Sequence, residues 1–427
     1  MLSRMTLLRR ISYVHAPSLK PFIGLTMHEM LEERVKKNPD REMLVFVSDN
    51  ERVTFAEYKK RVIDLAAGFL FKLGLRRGDR IAIIGANHVE WPLITGAARA
   101  IGVGVANLLI GHTSHTFQNV MAQVSCKALF ITRSPDTLYP MVCEMIPELS
   151  ESIPGDLNSK HGMLNLDDIS ISGCEEEVAT AAKKVTIDDV SYFFTTSGTT
   201  GSPKLVPFTH FQTLNGSIFA PNQFDEKQIN KLTFISNMAY IVTTHLSQVG
   251  SLLYGTTAVF PSPTYTFEKL VQAVEAERIF MVLPKPSGIS SVTVDDGPDV
   301  WNTSGRPLPN TEIQIIDEKG CPVEVGENGE VWIRSPTAFR GYYGDIEKTK
   351  QTITEKGWIK TGDVGKLSEN GYLTIVGRIK DIIIRRGDNI HPSEVESFVV
   401  THPAVNIAQV IPIPDYRIGE DVCACVT

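Results

Sequence analysis

The apolar positions near the start of the chain follow a helical period. A capping-box pattern at residues 26–29 predicts a helix, because Met30, Leu31 and Val35 follow it at helical spacing. A second box at residues 54–57 predicts a longer helix that Gly74 ends. The apolar stripe of this second helix comprises Phe55, Tyr58, Val62, Leu65, Ala66, Phe69 and Leu70.

Strand and helix patterns then alternate along the chain. The segments predicted are strands at 80–86, 103–108 and 128–132, and helices at 90–101 and 117–124. This alternation predicts βαβ units and a mostly parallel sheet with helices on both faces. Residues 150–185 are interpreted as a loop or linker because they combine turn-forming residues with a Glu175 to Glu177 run, and a second α/β unit is expected after them.

From about Glu312 the pattern changes to short alternating strands between Gly, Asn and Asp turns, which predicts a small antiparallel barrel. The segments predicted here are strands at 313–316, 330–334, 372–376, 405–411 and 422–427, and a helix at 392–400. The expected fold is α/β: a large N-terminal domain of two doubly wound α/β subdomains plus a small antiparallel β-barrel, followed by a truncated small α+β C-terminal domain. The domain boundaries predicted are 1–20, 21–377 and 378–427.

Composition narrows the class of protein. A length of 427 residues suggests about three domains, or one large domain with an appendage. Hydrophobic residues make up 42% and charged residues 21%, as in soluble globular proteins. The net charge of −7 disfavours a general nucleic-acid binder. The six cysteines form no CxxC pair, so neither a zinc site nor a disulfide framework is indicated, and no apolar stretch is long enough to predict a transmembrane segment.

The N-terminus is basic and rich in hydroxyl side chains. Arg4, Arg9, Arg10 and Lys20 precede the first acidic residue, Glu29. This pattern is typical of a mitochondrial transit peptide, so about the first twenty residues are treated as a transit peptide or as disordered and are set aside from the fold. A basic N-terminus without a targeting role is the alternative.

The strongest chemical signal is the run TTSGTTGSPK at residues 195–204, directly after the apolar residues 192–194. A loop of this kind after a strand suits a polyphosphate such as that of ATP, because glycines let backbone N–H groups approach oxygens while hydroxyls and a lysine add donors and charge. It lacks the GK[ST] ending of a P-loop, and a flexible surface turn is the alternative. The residues predicted to bind nucleotide here are Thr196, Ser197, Gly198, Thr199, Thr200, Gly201, Ser202, Pro203 and Lys204.

The segment TSGTTGSPK resembles the signature of the adenylate-forming ligases, which include acyl-CoA synthetases, luciferases and peptide-synthetase adenylation domains. Residues 361–363 (TGD), 377–381 (GRIKD) and 387–396 resemble later motifs of that family in the right order. The resemblance covers the chain from about residue 26 to its end. Residues 126–130 and 419–425 are most similar to the mitochondrial medium-chain acyl-CoA ligases.

The resemblance implies a two-step reaction, in which a carboxylate attacks the α-phosphate of ATP and the thiol of coenzyme A then displaces AMP. It implies that Lys204 and Thr199 act in catalysis, that Asp363 accepts the ribose hydroxyls, that Arg378 contacts the nucleotide and that Lys380 is a hinge. Mg²⁺ is expected to bridge ATP phosphates, with its protein ligand unknown. A turn aspartate, a surface ion-pair arginine and a solvated lysine are the structural alternatives for residues 363, 378 and 380.

Several positions depart from the pattern of the family. The family carries a strand and helix ending in an aromatic-Gly-Thr-x-Glu motif, whereas residues 284–304 show no helical period, and their closest match, at 287–293, has no Glu. The lysine that contacts the α-phosphate late in the family's C-terminal domain has no match before residue 427. Leu205 and Arg386 replace glycines. Tyr240 and His245 lie in the stretch that approaches the acyl pocket in the family, although His245 could equally be a core or surface histidine.

The sequence therefore predicts an ATP-dependent acyl-CoA ligase of the mitochondrial matrix that activates a medium-chain fatty acid. Its expected partners are a fatty acid, ATP and coenzyme A, with no nucleic acid. An inactive relative or splice fragment that serves as a nucleotide-binding or interaction module is the alternative. An adenylating enzyme with an acceptor other than coenzyme A is a third.

Overall fold

The computed structural model describes residues 11–18, 20–110, 114–132, 164–196, 204–217, 230–234, 237–263, 266–277, 281–283, 290–291, 300, 303–386 and 388–427. The described residues form two compact units. The first, here called the α/β unit, spans Pro21–Pro286 and Thr337–Ile346. The second, the β-rich unit, lies within Met1–Lys20, Ser287–Pro336 and Glu347–Thr427.

The strands of the described residues are numbered in chain order. They are β1 (Tyr13–Ala16), β2 (Glu42–Phe46), β3 (Glu51–Thr54), β4 (Arg80–Gly85), β5 (Gly104–Leu108), β6 (Ala128–Thr132), β7 (Val190–Thr196), β8 (Lys204–Thr209), β9 (Lys231–Phe234), β10 (Thr257–Phe260), β11 (Met281–Leu283), β12 (Ser290–Ser291), β13 (Arg306–Pro307), β14 (Thr311–Ile316), β15 (Gly329–Arg334), β16 (Ile359–Leu367), β17 (Leu373–Arg378), β18 (Ile383–Arg385), β19 (Asp388–Ile390), β20 (Ala408–Asp415) and β21 (Gly419–Val426).

The helices of the same residues are numbered separately. They are α1 (Met27–Lys37), α2 (Phe55–Phe71), α3 (Glu90–Ala100), α4 (Ser114–Val124), α5 (Leu166–Ile169), α6 (Glu175–Ala182), α7 (His210–Ser217), α8 (Ile241–Thr244), α9 (Gly250–Tyr254), α10 (Phe267–Glu277), α11 (Ile346–Thr352) and α12 (Pro392–Val399). A π-helical turn, His245–Val249, joins α8 to α9.

Both predicted capping boxes are confirmed. Thr26 accepts a hydrogen bond from the backbone of Glu29, whose carboxylate accepts one from the Thr26 N–H, and Thr54 and Glu57 repeat this arrangement. Each box satisfies N–H groups that a helix start leaves without partners, so α1 and α2 begin where the sequence predicts. Every residue of the predicted α2 stripe is buried, and Gly74 adopts a left-handed φ of +64° just after the helix.

The first sheet of the α/β unit has the strand order β6-β4-β5-β7-β8. Strands β4, β5, β6 and β7 are parallel, and β8 returns antiparallel to β7. All five residues of β5 are buried, as expected for a parallel strand with helices on both faces. The predicted strand and helix order of residues 80–132 is therefore confirmed.

The second sheet of this unit has the order β11-β9-β10-β2-β3 and confirms the second α/β subdomain. Strand β2 lies parallel to β10, and β3 is antiparallel to β2. The hydrophobic pattern predicted no strands at β2 and β3. Their place depends on β10, a partner distant in the chain, which local periodicity does not reveal.

The interpretation of residues 150–185 as a loop or linker is wrong for two described stretches, α5 and α6. The buried side chains of Ile169 and Val178 anchor these helices to the core. The acidic run at Glu175 to Glu177 forms the first turn of α6, where carboxylates interact favourably with the positive end of the helix dipole. Gly68 of α2 permits the close approach, since a Cβ there would lie 2.1 Å from the Ile169 carbonyl oxygen.

Residues Tyr13–Ala16, within the segment set aside as a transit peptide or as disordered, are not disordered but form β1, and the transit peptide itself stays a prediction. This strand pairs antiparallel with β14, and the Tyr13 hydroxyl donates to Glu312 at 2.8 Å. Ser12 beside it is fully buried. A strand of four residues is too short for its alternation to stand out against a basic, hydroxyl-rich background.

The antiparallel region is confirmed in the β-rich unit as a five-stranded sheet of order β1-β14-β15-β16-β17. A smaller sheet follows, of order β19-β18-β21-β20, which packs with α12. A three-residue 3₁₀ turn, Ile379–Asp381, connects β17 of one sheet to β18 of the other.

The outer edge of β20 is protected against pairing with another strand. The Val410 N–H donates to the Glu396 carboxylate of α12 at 2.8 Å. Pro412 and Pro414, at the following alternate positions of the same strand, have no N–H to offer. Side-chain capping and proline are devices that natural sheets use against edge-to-edge association.

A buried arginine joins helix α3 to the first sheet and to the π-helical turn. Arg99 of α3 is 3% exposed and donates to the Tyr192 hydroxyl of β7 and to the Gln248 side-chain carbonyl in the π-helical turn. It also donates to the backbone carbonyl of Thr95 at 2.8 Å. These acceptors are neutral oxygens, so the guanidinium is stabilised by hydrogen bonds and by the Tyr192 ring, 4.9 Å away.

Arg99→Met should lower the free energy of unfolding by about 3 kcal/mol, because it leaves buried oxygens without their charged donor. Urea denaturation followed by tryptophan fluorescence measures the loss. Arg61→Ala is the matched control: Arg61 is a partly exposed arginine paired with Glu51, and its loss should cost less than about 1 kcal/mol. Equal losses in the two variants would contradict a structural role for the buried network.

His210 is a fully buried histidine at the start of α7. Its Nδ1 accepts a hydrogen bond from the Met27 N–H at 3.1 Å, which fixes the neutral ring against the start of α1. Burial, assisted by the positive charge of Arg99, lowers the pKa of His210 to about 3 from its usual value of 6.5.

Acid should destabilise the protein through His210. Below pH 6.5 the unfolded chain binds a proton that the folded chain excludes down to about pH 3, so the stability is complete above pH 6.5 and falls as the pH falls. The loss should reach about 2 kcal/mol near pH 5. Denaturation curves for His210→Gln should show a shallower pH dependence, whereas the exposed-site control His402→Gln should behave as the parent does. An unchanged slope in His210→Gln would refute this assignment.

Candidate functional site

A β-hairpin presents the Ser/Thr/Gly-rich segment at the edge of the first sheet. Strand β7 ends at Thr196 and β8 begins at Lys204, and these two residues are paired partners across the hairpin. Tyr192, Phe193 and Phe194 of β7 are buried, which anchors the strand in the core. The predicted strand before the loop is confirmed, and residues 197–203 join two paired strand ends.

Most of the predicted loop lies outside the described residues. This holds for Ser197, Gly198, Thr199, Thr200, Gly201, Ser202 and Pro203, and for the side chain of Thr196. Their roles in binding and catalysis stay predictions. The structure places the backbone of Thr196 and the whole of Lys204, the two residues between which the loop lies.

Lys204 is the first residue of β8, and it is half-buried. Its Nζ lies 4.9 Å from the centre of the Tyr342 ring, a distance at which the ring face attracts the ammonium group. The Tyr343 N–H donates to the carbonyl of the next β8 residue, Leu205, at 2.9 Å. Residues 337–346 therefore line the start of β8, and sequence reasoning missed Tyr342. The two adjacent tyrosines at 342–343 are visible in the sequence, but the sequence does not show that Lys204 is the partner of Tyr342.

The two glycine replacements have different structural consequences. Leu205 is buried in the cluster that includes Ile84, Leu108 and Phe193, so its side chain contributes to the core. Arg386 has a φ of +54°, in the left-handed region that favours glycine. Holding a side-chain residue there costs about 1 kcal/mol, so this backbone retains the conformation that a glycine would adopt freely.

Asp363 and Arg378 are brought together on neighbouring strands of the β-rich unit. They are paired residues of β16 and β17, and the Arg378 Nε lies 2.9 Å from an Asp363 carboxylate oxygen. The register shifts just beyond them, between Val364 and Gly365, and such bulges often turn side chains at functional sites. The sequence motifs place these two residues far apart in the chain, whereas the antiparallel ladder places them side by side.

The groups around Asp363 act on its pKa in opposite directions. Partial burial raises the pKa of the Asp363 carboxyl, and Arg378 acts against this rise. Asp381 and Glu330 raise the pKa further because their charges repel a carboxylate. Arg378 is therefore the group that favours the ionised form of Asp363.

Glu330 holds the turn that carries Asp363. One of its carboxylate oxygens accepts from the Gly362 N–H at 3.2 Å, and the other accepts from the Trp332 indole at 2.7 Å. Gly362 has a φ of +73°, and the Thr361 hydroxyl accepts from the Asp363 N–H at 3.0 Å. Sequence reasoning also missed Glu330, because an acidic residue on a half-buried strand face carries no signal by itself.

The remaining candidates are only partly described. Lys380 lies in the 3₁₀ turn between the two β sheets, half-exposed, with its Nζ 3.7 Å from Asp381. Tyr240 is 52% exposed just before α8, and the side chain of His245 lies outside the described residues. Within the stretch 284–304, Ser290 and Ser291 pair with Pro307 and Arg306.

In the part of the chain that the structure describes, no group of three or more His, Cys, Asp or Glu side chains is arranged to hold a metal ion. Among its helices, none combines the length and the apolar character that crossing a membrane requires.

A family model described as AMP-binding enzyme matches residues 31–291 and 286–343 of the chain. The mitochondrial medium-chain acyl-CoA ligase ACSF2 of Danio rerio is 30% identical over 496 residues, which cover 97% of this chain and 82% of that protein. These matches confirm the resemblance inferred from the motifs, and they include acyl-CoA ligases as curated relatives.

Solved structures confirm the fold. ATP-bound MatB from Rhodopseudomonas palustris has a TM-score of 0.78 at 20% identity, with 95% of this chain and 88% of that chain covered. The o-succinylbenzoate CoA synthetase MenE from Bacillus subtilis, in complex with the acyl-adenylate OSB-AMP, has a TM-score of 0.74 at 20% identity with the same coverage of both chains.

Proposed function

Because the chain belongs to the AMP-binding enzyme family, we propose that it is an acyl-CoA ligase that activates a medium-chain fatty acid with ATP and transfers the acyl group to coenzyme A. The observation that carries this proposal is the β7–β8 hairpin, which sets the TTSGTTGSPK segment between two paired strands and places Lys204 at its end. A rigid frame of this kind suits the proposed role of Lys204, because its ammonium group must lie close to the negative charge that develops on the leaving group.

In the first step, a carboxylate oxygen of the fatty acid attacks the α-phosphorus of ATP. The bond from that phosphorus to the bridging oxygen breaks, and pyrophosphate leaves with the bonding electrons. The negative charge on the leaving group grows during this step, and Lys204, with donors such as Thr199, would stabilise it. No protein nucleophile is required.

The pair of Asp363 and Arg378 would hold the nucleoside. An ionised carboxylate accepts hydrogen bonds from two hydroxyls, which matches the two hydroxyls of ribose. The contact with Arg378 favours that ionised form and orients the carboxylate, while the rest of the guanidinium fork can donate to nucleotide oxygens.

In the second step, the thiol of coenzyme A attacks the acyl carbon of the adenylate and AMP leaves. We propose Lys380 as the hinge between the two steps. The short 3₁₀ turn that contains it is the connection from β17 to β18, so a change in a few backbone torsions there would reorient the smaller sheet.

Magnesium would be held mainly by ATP phosphates and water, since Mg²⁺ commonly takes one or two protein carboxylates and keeps its waters. This arrangement needs no cluster of three or more metal-ligating side chains, and the described residues contain none. The ion would neutralise charge on the phosphates.

The relatives support the finer parts of the proposal. The Danio rerio protein is named as a mitochondrial medium-chain ligase, which supports a medium-chain acid and a mitochondrial location. The structural neighbours include one with bound ATP and one with a bound acyl-adenylate, which supports the adenylate route.

Pyrophosphate–ATP exchange on the full chain tests the first step. With octanoate and Mg²⁺ present, labelled pyrophosphate should enter ATP, and adding coenzyme A should produce octanoyl-CoA. Exchange that does not depend on the acid, or ATP binding without exchange, would refute the ligase assignment and leave a nucleotide-binding relative. Exchange without thioester formation would indicate another acceptor.

Lys204→Ala should slow the acid-dependent exchange by roughly 100-fold, because it removes one charged donor from the leaving pyrophosphate. Initial rates at saturating and limiting pyrophosphate measure the effect. Lys183→Ala, at an exposed position directly after α6 in the same unit, is the matched control and should exchange at the parent rate. A Lys204→Ala variant as fast as this control would remove Lys204 from the mechanism.

A further inference from the structure

We propose that Tyr342 is a positioning residue that holds the Lys204 ammonium group at the end of the phosphate loop. This inference rests on the proposed role of Lys204 in pyrophosphate stabilisation. Tyr342 lies outside the nucleotide motifs identified in the sequence, and it reaches Lys204 through the tertiary fold.

The segment that carries Tyr342 is fixed against the hairpin by independent contacts. The Tyr343 N–H donates to the Leu205 carbonyl at 2.9 Å, and the Tyr343 ring meets the Phe193 ring edge-on at 5.0 Å. The Gln212 side chain donates to the Ala338 carbonyl at 2.6 Å. Backbone and ring contacts on both sides thus set the position of the Tyr342 ring relative to β8.

A neighbouring ring stabilises Tyr342 itself. The Phe339 and Tyr342 rings lie 5.2 Å apart and are tilted, a favoured arrangement for aromatic pairs. The Tyr342 ring is therefore held by a ring contact as well as through the backbone of its segment.

A neutral ring is well suited to this task. Lysine has a flexible side chain whose rotamer freedom is worth about 2 kcal/mol, so restricting it before substrate binds reduces the entropy lost on binding. A carboxylate would also hold the ammonium group, but it would neutralise the charge and repel a phosphate. The ring attracts the cation and leaves its positive charge available for an anionic ligand.

The inference predicts a specific ranking of variants. Tyr342→Leu removes the ring and should lower the exchange rate at limiting pyrophosphate by about 5-fold, the equivalent of one cation–π contact. The affinity for ATP, measured by calorimetry with Mg²⁺, should fall by a similar factor. Tyr342→Phe keeps the ring face and should retain both properties of the parent, which separates the ring from the hydroxyl.

A double-variant cycle with Lys204→Ala distinguishes positioning from simple structural support. If Tyr342 acts through Lys204, Tyr342→Leu should have no further effect on exchange or on ATP affinity in the Lys204→Ala background. The thermal midpoints of Tyr342→Leu and Tyr342→Phe show whether any loss reflects unfolding.

The possible results separate this inference from the function on which it rests. If Lys204→Ala weakens ATP binding or exchange but Tyr342→Leu does not, the positioning role is overturned and the proposed function survives. A Tyr342→Leu defect that persists at full size in the Lys204→Ala background also overturns it. If Lys204→Ala itself changes neither property, the role proposed for Lys204 fails first. The calorimetric arm tests Tyr342 even if the chain catalyses no exchange.

Discussion

The α/β unit depends on the burial of one positive charge. Arg99 is almost completely removed from water, so its N–H groups must find acceptors within the protein. They find them on β7 and in the π-helical turn that precedes α9, through Tyr192 and Gln248. Helix α3, strand β7 and the π-helical turn are thereby joined by directional hydrogen bonds, which fix their relative positions more closely than hydrophobic packing alone would.

This constraint extends to the candidate site because Tyr192 lies on the strand that leads into the segment predicted to bind phosphate. The residues of β7 from Tyr192 to Phe194 are buried, and β8 pairs with β7 up to Lys204. The predicted loop thus begins and ends on strands that are anchored in the buried core. Catalytic loops on a rigid scaffold are a recurrent arrangement, since precise placement of donors requires a fixed frame.

Two charged residues that the sequence predicts to bind nucleotide, Asp363 of the β-rich unit and Lys204 of the α/β unit, are controlled in different ways. Asp363 is partly buried among other acidic groups, and the cation of Arg378 opposes the resulting rise in its pKa. Lys204 is held by the neutral face of Tyr342, which preserves its positive charge. The first arrangement favours an acceptor for hydroxyl groups, and the second favours a donor for phosphate.

The sequence by itself determined the family, the capping boxes of α1 and α2 and the order of strands and helices from β4 to β6, because each is encoded by motifs of residues close together in the chain. Its assignment of a phosphate-binding segment stays a prediction. The tertiary structure decided that β1 and β2 join sheets, that Glu175 to Glu177 start a helix, that Asp363 meets Arg378 and that Tyr342 meets Lys204. Apart from the helix start, these features are contacts between residues far apart in sequence, and local pattern carries no information about which distant partner a side chain will meet.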